Sequence, residues 1–272
     1  MIRTAELEKI IKLALLTPYV KGERPVSILV SARVESGKTE LMKKANLGID
    51  RGIAYLSDMT AWGIQNKYLD KLMLGEIKTI VVPDLITPLS RSSETVETLV
   101  SFLNGLIEEG ICELQTYARS IRLELPVRCN LITSIAKEYL EDRRHRWNRI
   151  GFLSRVMPVS YEYGASSVYA IMQSIASRAY REESIFNDLV FPTESVEIEL
   201  PAPIAQRVAT YAPQVIDAGR HAQALYGFRL QKQLQTLCMA NALLEGRNTV
   251  TGADFDTIVV LGDFMNFNYR QI

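Results

Sequence analysis

The sequence predicts an α/β protein: a three-layer core around a parallel five-stranded sheet, followed by a small, mainly helical domain. Three observations lead there. Short β-branched runs alternate with longer helical patterns through the first half, the pattern of a parallel sheet covered by helices. Each run is almost wholly apolar, as strands buried on both faces are. Beyond about residue 161, strand-like runs give way to helical spacing.

The chain opens with apolar positions broken up by Arg3, Glu6, Glu8, Lys9 and Lys12. That spacing predicts an amphipathic helix and not the unbroken apolar core of a signal peptide. Strands are expected at residues 26–30, 53–56, 79–82, 128–133 and 155–159, with intervening segments long enough for crossover connections. Residues 1–160 would form the α/β core and 161–272 the helical domain. In the latter, Leu230, Leu234, Leu237, Cys238 and Asn241 share one helix face, Gly246 ends that helix, and Thr251 with Asp254 forms a capping box for the next. Residues 191–203, with Pro192, Pro201 and Pro203, read as an extended loop or short hairpin.

Composition narrows the class further. Of 272 residues, 47% are apolar and 23% charged, and the 31 basic residues equal the 31 acidic ones, so no global charge draws the chain to nucleic acid or membrane. No stretch approaches the roughly 20 apolar residues that span a bilayer, which predicts a cytoplasmic protein with no membrane partner. Cys112, Cys129 and Cys238 are odd in number, widely spaced and without C-x-x-C spacing, so they are expected to be reduced core thiols.

The chemical signal is densest between Ser27 and Thr39, an apolar run ending in Ser36-Gly37-Lys38-Thr39 and followed by a helical pattern from Glu40. Strand, tight loop and helix start in that order gather backbone amides around one point, an arrangement that suits a polyphosphate. Lys38 is expected to reach the β and γ phosphates, Thr39 to hold Mg²⁺ through its hydroxyl, and Gly37 to allow close backbone approach. The binding set would be Ala32, Glu35, Ser36, Gly37, Lys38, Thr39 and Glu40, with ATP and Mg²⁺ as ligands. Against the pattern G-x-x-x-x-G-K-[ST], Ala32 stands where the first glycine belongs. The bland alternative is a chance Gly-Lys-Thr at a helix start. A metal-side acid should end a neighbouring strand, and Asp84 follows the run from Thr79 through Pro83. Its alternative role is a surface turn residue.

Together these residues resemble the AAA+ branch of P-loop ATPases over nearly the whole chain, with the helical domain as the lid. The resemblance implies a glutamate directly after the strand acid, yet Leu85 stands there, and a leucine can neither accept a proton nor orient water. Glu94 is a downstream substitute. Asn130-Leu-Ile-Thr133-Ser134 resembles the sensor-one strand, with Thr133 first and Ser134 second as its polar residue. Arg155 resembles the arginine finger given to an adjacent subunit, or else forms a strand-edge ion pair. Tyr226-Gly-Phe-Arg229 resembles sensor two, making Arg229 a phosphate contact within its own chain, with Arg220 as the alternative.

Residues 111–125 resemble the hairpin that minichromosome-maintenance helicases, enhancer-binding activators and MoxR-type chaperones carry before sensor one. Tyr117 and Arg119 would then face a threaded partner, unless the hairpin is a plain surface one. Trp62 sits where AAA+ rings carry an aromatic pore loop, although a core residue at a helix start is the preferred reading. The basic run Arg143 to Arg149 holds Trp147 and suggests DNA phosphate contacts with base stacking, or, preferred, a subunit interface. The resemblance thus implies an ATPase working as a homo-oligomeric ring, such as a hexamer, on DNA or protein. The alternatives are a slowly hydrolysing ATP-dependent switch or scaffold, and a DNA replication or transposition loader.

Overall fold

The computed structural model describes residues 4–115, 120–178, 185–218 and 227–272. The opening amphipathic pattern forms α1 (Ala5–Leu16), which buries Leu7, Ile10, Ile11, Leu13, Ala14, Leu15 and Leu16. Next come β1 (Ser27–Ala32), α2 (Lys38–Lys43), β2 (Ile53–Tyr55), α3 (Ala61–Lys67), α4 (Leu69–Met73), β3 (Thr79–Val82), α5 (Ile86–Leu89) and α6 (Ser93–Asn104). An antiparallel pair, β4 (Ile111–Gln115) with β5 (Ser120–Val127), stands apart as its own two-stranded sheet. The chain continues through β6 (Asn130–Ala136), α7 (Lys137–Arg149), β7 (Val156–Glu162), α8 (Ala165–Ala176), α9 (Ala202–Ala218), α10 (Phe228–Leu244), α11 (Gly252–Gly262) and β8 (Arg270–Gln271).

The main sheet has six strands in the order β2-β3-β6-β1-β7-β8, and every pair in it is parallel. Five of them lie where apolar runs predicted them. The sixth, β8, corrects the expected count: it is two exposed residues long and pairs with Tyr161 and Glu162, so it carries no hydrophobic pattern to read. Side chains alternate between faces, as the period of two requires. Ile28, Val30, Ile132, Met157 and Val159 join one hydrophobic cluster, and Leu29, Ile80, Val82, Leu131 and Ile135 the other. The first cluster also takes in α1, α10 and α11, and the second α6 and α7, so helices cover both faces.

Strand ends differ from expectation where burial outruns the β-branched runs. β6 continues to Ala136 with all seven residues buried, and β7 continues to Glu162. The boundary expected at residues 160/161 therefore falls inside β7, and Leu234, Leu237 and Cys238 of α10 pack in the same cluster as β1. The predicted capping box at Thr251 and Asp254 is formed, and Gly246 follows α10 with φ +70°. Residues 191–201 are extended and include single bridges, Val196 to Val20 and Glu199 to Thr249, while Ala202 and Pro203, expected in the loop, open α9. Cys129 and Cys238 are buried thiols, and burial pushes the Cys238 thiol up to about 12; Cys112 on β4 is exposed, contrary to the expected core position. Among the described residues no helix is long and apolar enough to cross a membrane.

Candidate functional site

The site grows from the carboxyl end of β1. All six β1 residues are buried, and the strand ends at Ala32, whose Cα partner on β6 is Ala136. Ala32 is fully buried and has no positive φ, which is why a methyl group is tolerated where the pattern asks for glycine. The left-handed conformations fall later, at Glu35 (φ 62°) and Gly37 (φ 78°). A Cβ on Gly37 would also come to 3.3 Å from the Tyr163 hydroxyl. Ser36 is buried between them, and its carbonyl accepts two hydrogen bonds, from Tyr161 and Tyr163, each at 2.8 Å. Burial pushes the Tyr161 phenol up, so it stays a donor. Helix α2 has only six residues; its contribution is the first-turn amides, with Leu41 donating the first helical bond back to Gly37.

Lys38 folds across this loop. Its Nζ donates to the carbonyls of Ala32 (3.1 Å) and Arg33 (2.6 Å) and to Ser36 Oγ (3.2 Å). Burial lowers its pKa, against the pull of the Asp84 and Glu138 carboxylates, which favour the ammonium form. Thr39 and Glu35 are exposed, while Glu40 pairs with Lys43 at 2.7 Å. Arg33 reaches Glu162 on β7 at 3.2 Å.

Asp84 lies just beyond β3, and its Oδ1 accepts from the Ile86 amide at 2.9 Å, opening α5. It fills the turn role, and its charge also reaches Lys38. Leu85 is 1% exposed, packs in the second hydrophobic cluster and donates its amide to the Ser134 carbonyl at 2.8 Å. The position after Asp84 thus faces the core, where a glutamate would be a buried unpaired charge. Glu94, the downstream substitute, is exposed on the first turn of α6. Among the described residues no group of three or more His, Cys, Asp or Glu could hold a metal. Mg²⁺ needs no such cage: one or two protein oxygens with phosphate oxygens and water suffice, and the exposed Thr39 hydroxyl and the Asp84 carboxylate are oxygen donors of that kind.

Thr133 and Ser134 do not face the loop. Thr133 pairs with Leu29 and Val82, three residues inside the sheet, and its buried hydroxyl donates to the Val82 carbonyl at 2.8 Å. Ser134 Oγ donates to the Pro83 carbonyl at 2.5 Å. The strand was expected to end at residue 133 but runs to Ala136, so the polar residues it delivers to the edge are Lys137, which lies over the Tyr269 ring, and Glu138 on α7. Sequence reading missed Glu138; the signal was the apolar pair Ile135-Ala136 prolonging the run.

Arg155 and Arg229 lie near the same carboxylate, Glu109, and not near Lys38. Ser27 pairs with Val156, so Arg155 lies at the amino edge of the sheet, whereas Lys38 lies past the carboxyl edge; the six residues of β1 separate the edges by roughly 20 Å. Arg155 donates to the Gly151 carbonyl at 2.8 Å and pairs with Glu109 at 2.6 Å. Burial would raise the Glu109 carboxyl, but Arg155 holds it below its ordinary range. Arg229 bonds Ser154 Oγ at 3.0 Å and lies 3.3 Å from Glu108, which Arg24 also pairs. Arg229 is therefore not placed to touch phosphate in its own chain. Arg220, Tyr226 and the hairpin residues Tyr117 and Arg119 lie outside the described residues.

Two aromatic assignments change. Trp62, expected in the core, is 71% exposed after the Thr60 cap of α3. Trp147 is 2% exposed and packs edge-on against Phe152 at 5.7 Å, so it is not free to stack on a base. Its basic neighbours are divided: Arg143 stacks on Tyr139, Arg144 lies over Phe267, and Arg146 pairs with Glu97. No protein-family model matches this chain, and no curated protein does.

Proposed function

We propose that this chain binds ATP with Mg²⁺ at the β1–α2 loop and hydrolyses it as part of a homo-oligomer. One observation carries the reading: the Lys38 ammonium sits at the carboxyl edge of a parallel sheet, over the loop closed by Gly37, within the field of Asp84. Open parallel sheets bind ligands at that edge. Lys38 exchanges its carbonyl partners for β and γ phosphate oxygens, and the Lys38, Thr39 and Glu40 amides of the first turn of α2 add uncharged donors. The Thr39 hydroxyl and Asp84 hold Mg²⁺, which neutralises charge on the phosphate oxygens when bound. Ala32, Glu35 and Ser36 shape the loop from below.

The position of the arginines supports an oligomer. At the amino edge, Arg155 serves only the loop of another copy, through a head-to-tail contact that closes into a ring when the rotation permits, a hexamer being one such closure. Arg229 shares that surface and joins Arg155 in trans. The exposed Trp62 and the β4–β5 hairpin are the surfaces for a macromolecular partner. Partly divided basic residues and the buried Trp147 favour protein over DNA as that partner. A second reading, a switch that recruits a partner while hydrolysing slowly, is supported by the core-facing Leu85.

Calorimetric titration with Mg-ATP, and turnover followed against protein concentration with and without single-stranded DNA, test the proposal. Lys38→Ala should weaken ATP binding about 10- to 100-fold, the worth of one or two charge-assisted hydrogen bonds. Turnover should rise more than linearly with concentration and fall in Arg155→Ala. Wild-type protein that gives no nucleotide heat sinks the reading; binding with turnover independent of concentration sinks the oligomer.

A further inference from the structure

We propose that Glu138 is the catalytic base, orienting and deprotonating the water that attacks the γ phosphate, in the role Leu85 leaves vacant. The inference rests on the ATP reading above and adds a residue that follows a different strand. Ala136, the Cα partner of Ala32, ends β6, and the Ala32 carbonyl is the group that Lys38 Nζ touches at 3.1 Å. Glu138 stands two residues further on, in the first turn of α7. The sheet order puts β6 between β1 and β3, so Glu138 issues from the strand flanked by the strands that carry Lys38 and Asp84.

Three of the other carboxylates near the loop are otherwise engaged, and Glu35 is exposed on the loop itself. Glu40 is paired with Lys43, Glu162 with Arg33, and Asp84 caps α5 through Ile86. Glu138 is exposed and, among the described residues, makes no hydrogen bond or ion pair, which leaves both oxygens for water. Besides Asp84, it is the carboxylate whose charge reaches Lys38. That a core-facing position follows Asp84 gives the physical reason for a donor elsewhere: no carboxylate at residue 85 could meet water without unpacking Leu85 from the second cluster.

The step balances without a redox partner. The water oxygen forms a bond to the γ phosphorus, the bond from that phosphorus to the β–γ bridging oxygen breaks, and ADP leaves with the bonding pair. The proton lost by water passes to a Glu138 carboxylate oxygen and then to solvent. Lys38 stabilises the charge gathering on the leaving oxygen.

The test compares Glu138→Gln, Glu138→Asp and Glu94→Gln in the full chain, with a fluorescent ATP analogue for affinity and phosphate release for turnover. Glu138→Gln should bind nucleotide within about threefold of wild type while turnover falls roughly 100- to 10,000-fold, the range for loss of a general base. Glu138→Asp, with the carboxylate drawn back by one methylene, should keep affinity and lose turnover partially. Glu94→Gln should match wild type in both. Turnover that survives Glu138→Gln, or vanishes in Glu94→Gln, overturns the assignment, as does a wild-type protein that binds ATP without hydrolysing it. Wild-type protein that binds no nucleotide removes the underlying reading as well, so the two failures are distinct.

Discussion

Two phenol hydroxyls on one carbonyl make a measurable claim about the loop. Tyr161 and Tyr163 both donate to the Ser36 carbonyl at 2.8 Å, and Ser36 is 5% exposed. A carbonyl oxygen has two lone pairs, so removing either hydroxyl leaves it satisfied by the other. Tyr161→Phe or Tyr163→Phe alone should therefore cost about 0.5–1.5 kcal/mol, the net worth of one hydrogen bond. The double change strands a buried acceptor and adds a desolvation penalty of about 1–3 kcal/mol to the two lost bonds, for a total of about 2–6 kcal/mol. At 1.4 kcal/mol per factor of ten, ATP affinity should drop up to about tenfold in each single variant, and by between about 30-fold and about 20,000-fold in the double. The full loss appears only if the loop must hold its present shape to bind, since apparent affinity scales with the fraction in the competent conformation. Equilibrium titration with a fluorescent ATP analogue, run beside chemical denaturation, gives both quantities for a double-mutant cycle. Strictly additive single effects, or unchanged affinity in the double variant, would refute the shared-acceptor argument.

Further expectations concern stability and surface. Asp254 is fully buried and accepts from Arg247, Asn241 and the Thr251 amide; burial would raise its carboxyl, but those donors hold it at about 2, against an ordinary 3.8. The depressed value is worth about 2 kcal/mol, present above the unfolded pKa and lost as pH falls from 3.8 through about 2. Thermal melts of Asp254→Asn should accordingly be lower than wild type at neutral pH, and the gap should narrow in acid; parallel curves would contradict the network's role. Trp147→Ala should cost about 3–5 kcal/mol by urea titration, whereas Trp62→Ala should stay within about 0.5 kcal/mol while weakening capture of any partner. Leu85→Glu should destabilise the fold by several kcal/mol without raising turnover, because it buries an unpaired carboxylate; faster phosphate release would show that residue 85 can face the site.

The layer order and the sequence of strand, loop and helix start around Gly37 were legible because both are local. A largely apolar run such as Ser27–Ala32 is buried on both faces, and Gly37 takes a left-handed φ that favours glycine. The capping box of Thr251 and Asp254 spans four residues and was read directly. β8 escaped because two exposed residues carry no pattern, and Trp62 because exposure of an aromatic depends on what packs over it.

Residue order by itself thus determined the alternating elements, their hydrophobic faces and the chemistry offered at Lys38, Thr39 and Asp84. Only the tertiary structure decided which residues share an edge. Parallel pairing sends Arg155 and Arg229 to the amino end, away from Lys38, and three further buried residues in β6 withdraw Thr133 from the carboxyl edge and bring Glu138 towards it. The reason is that strand neighbours and register are set by packing between segments up to a hundred residues apart, and one strand end misplaced by three positions exchanges the side chains that reach the edge.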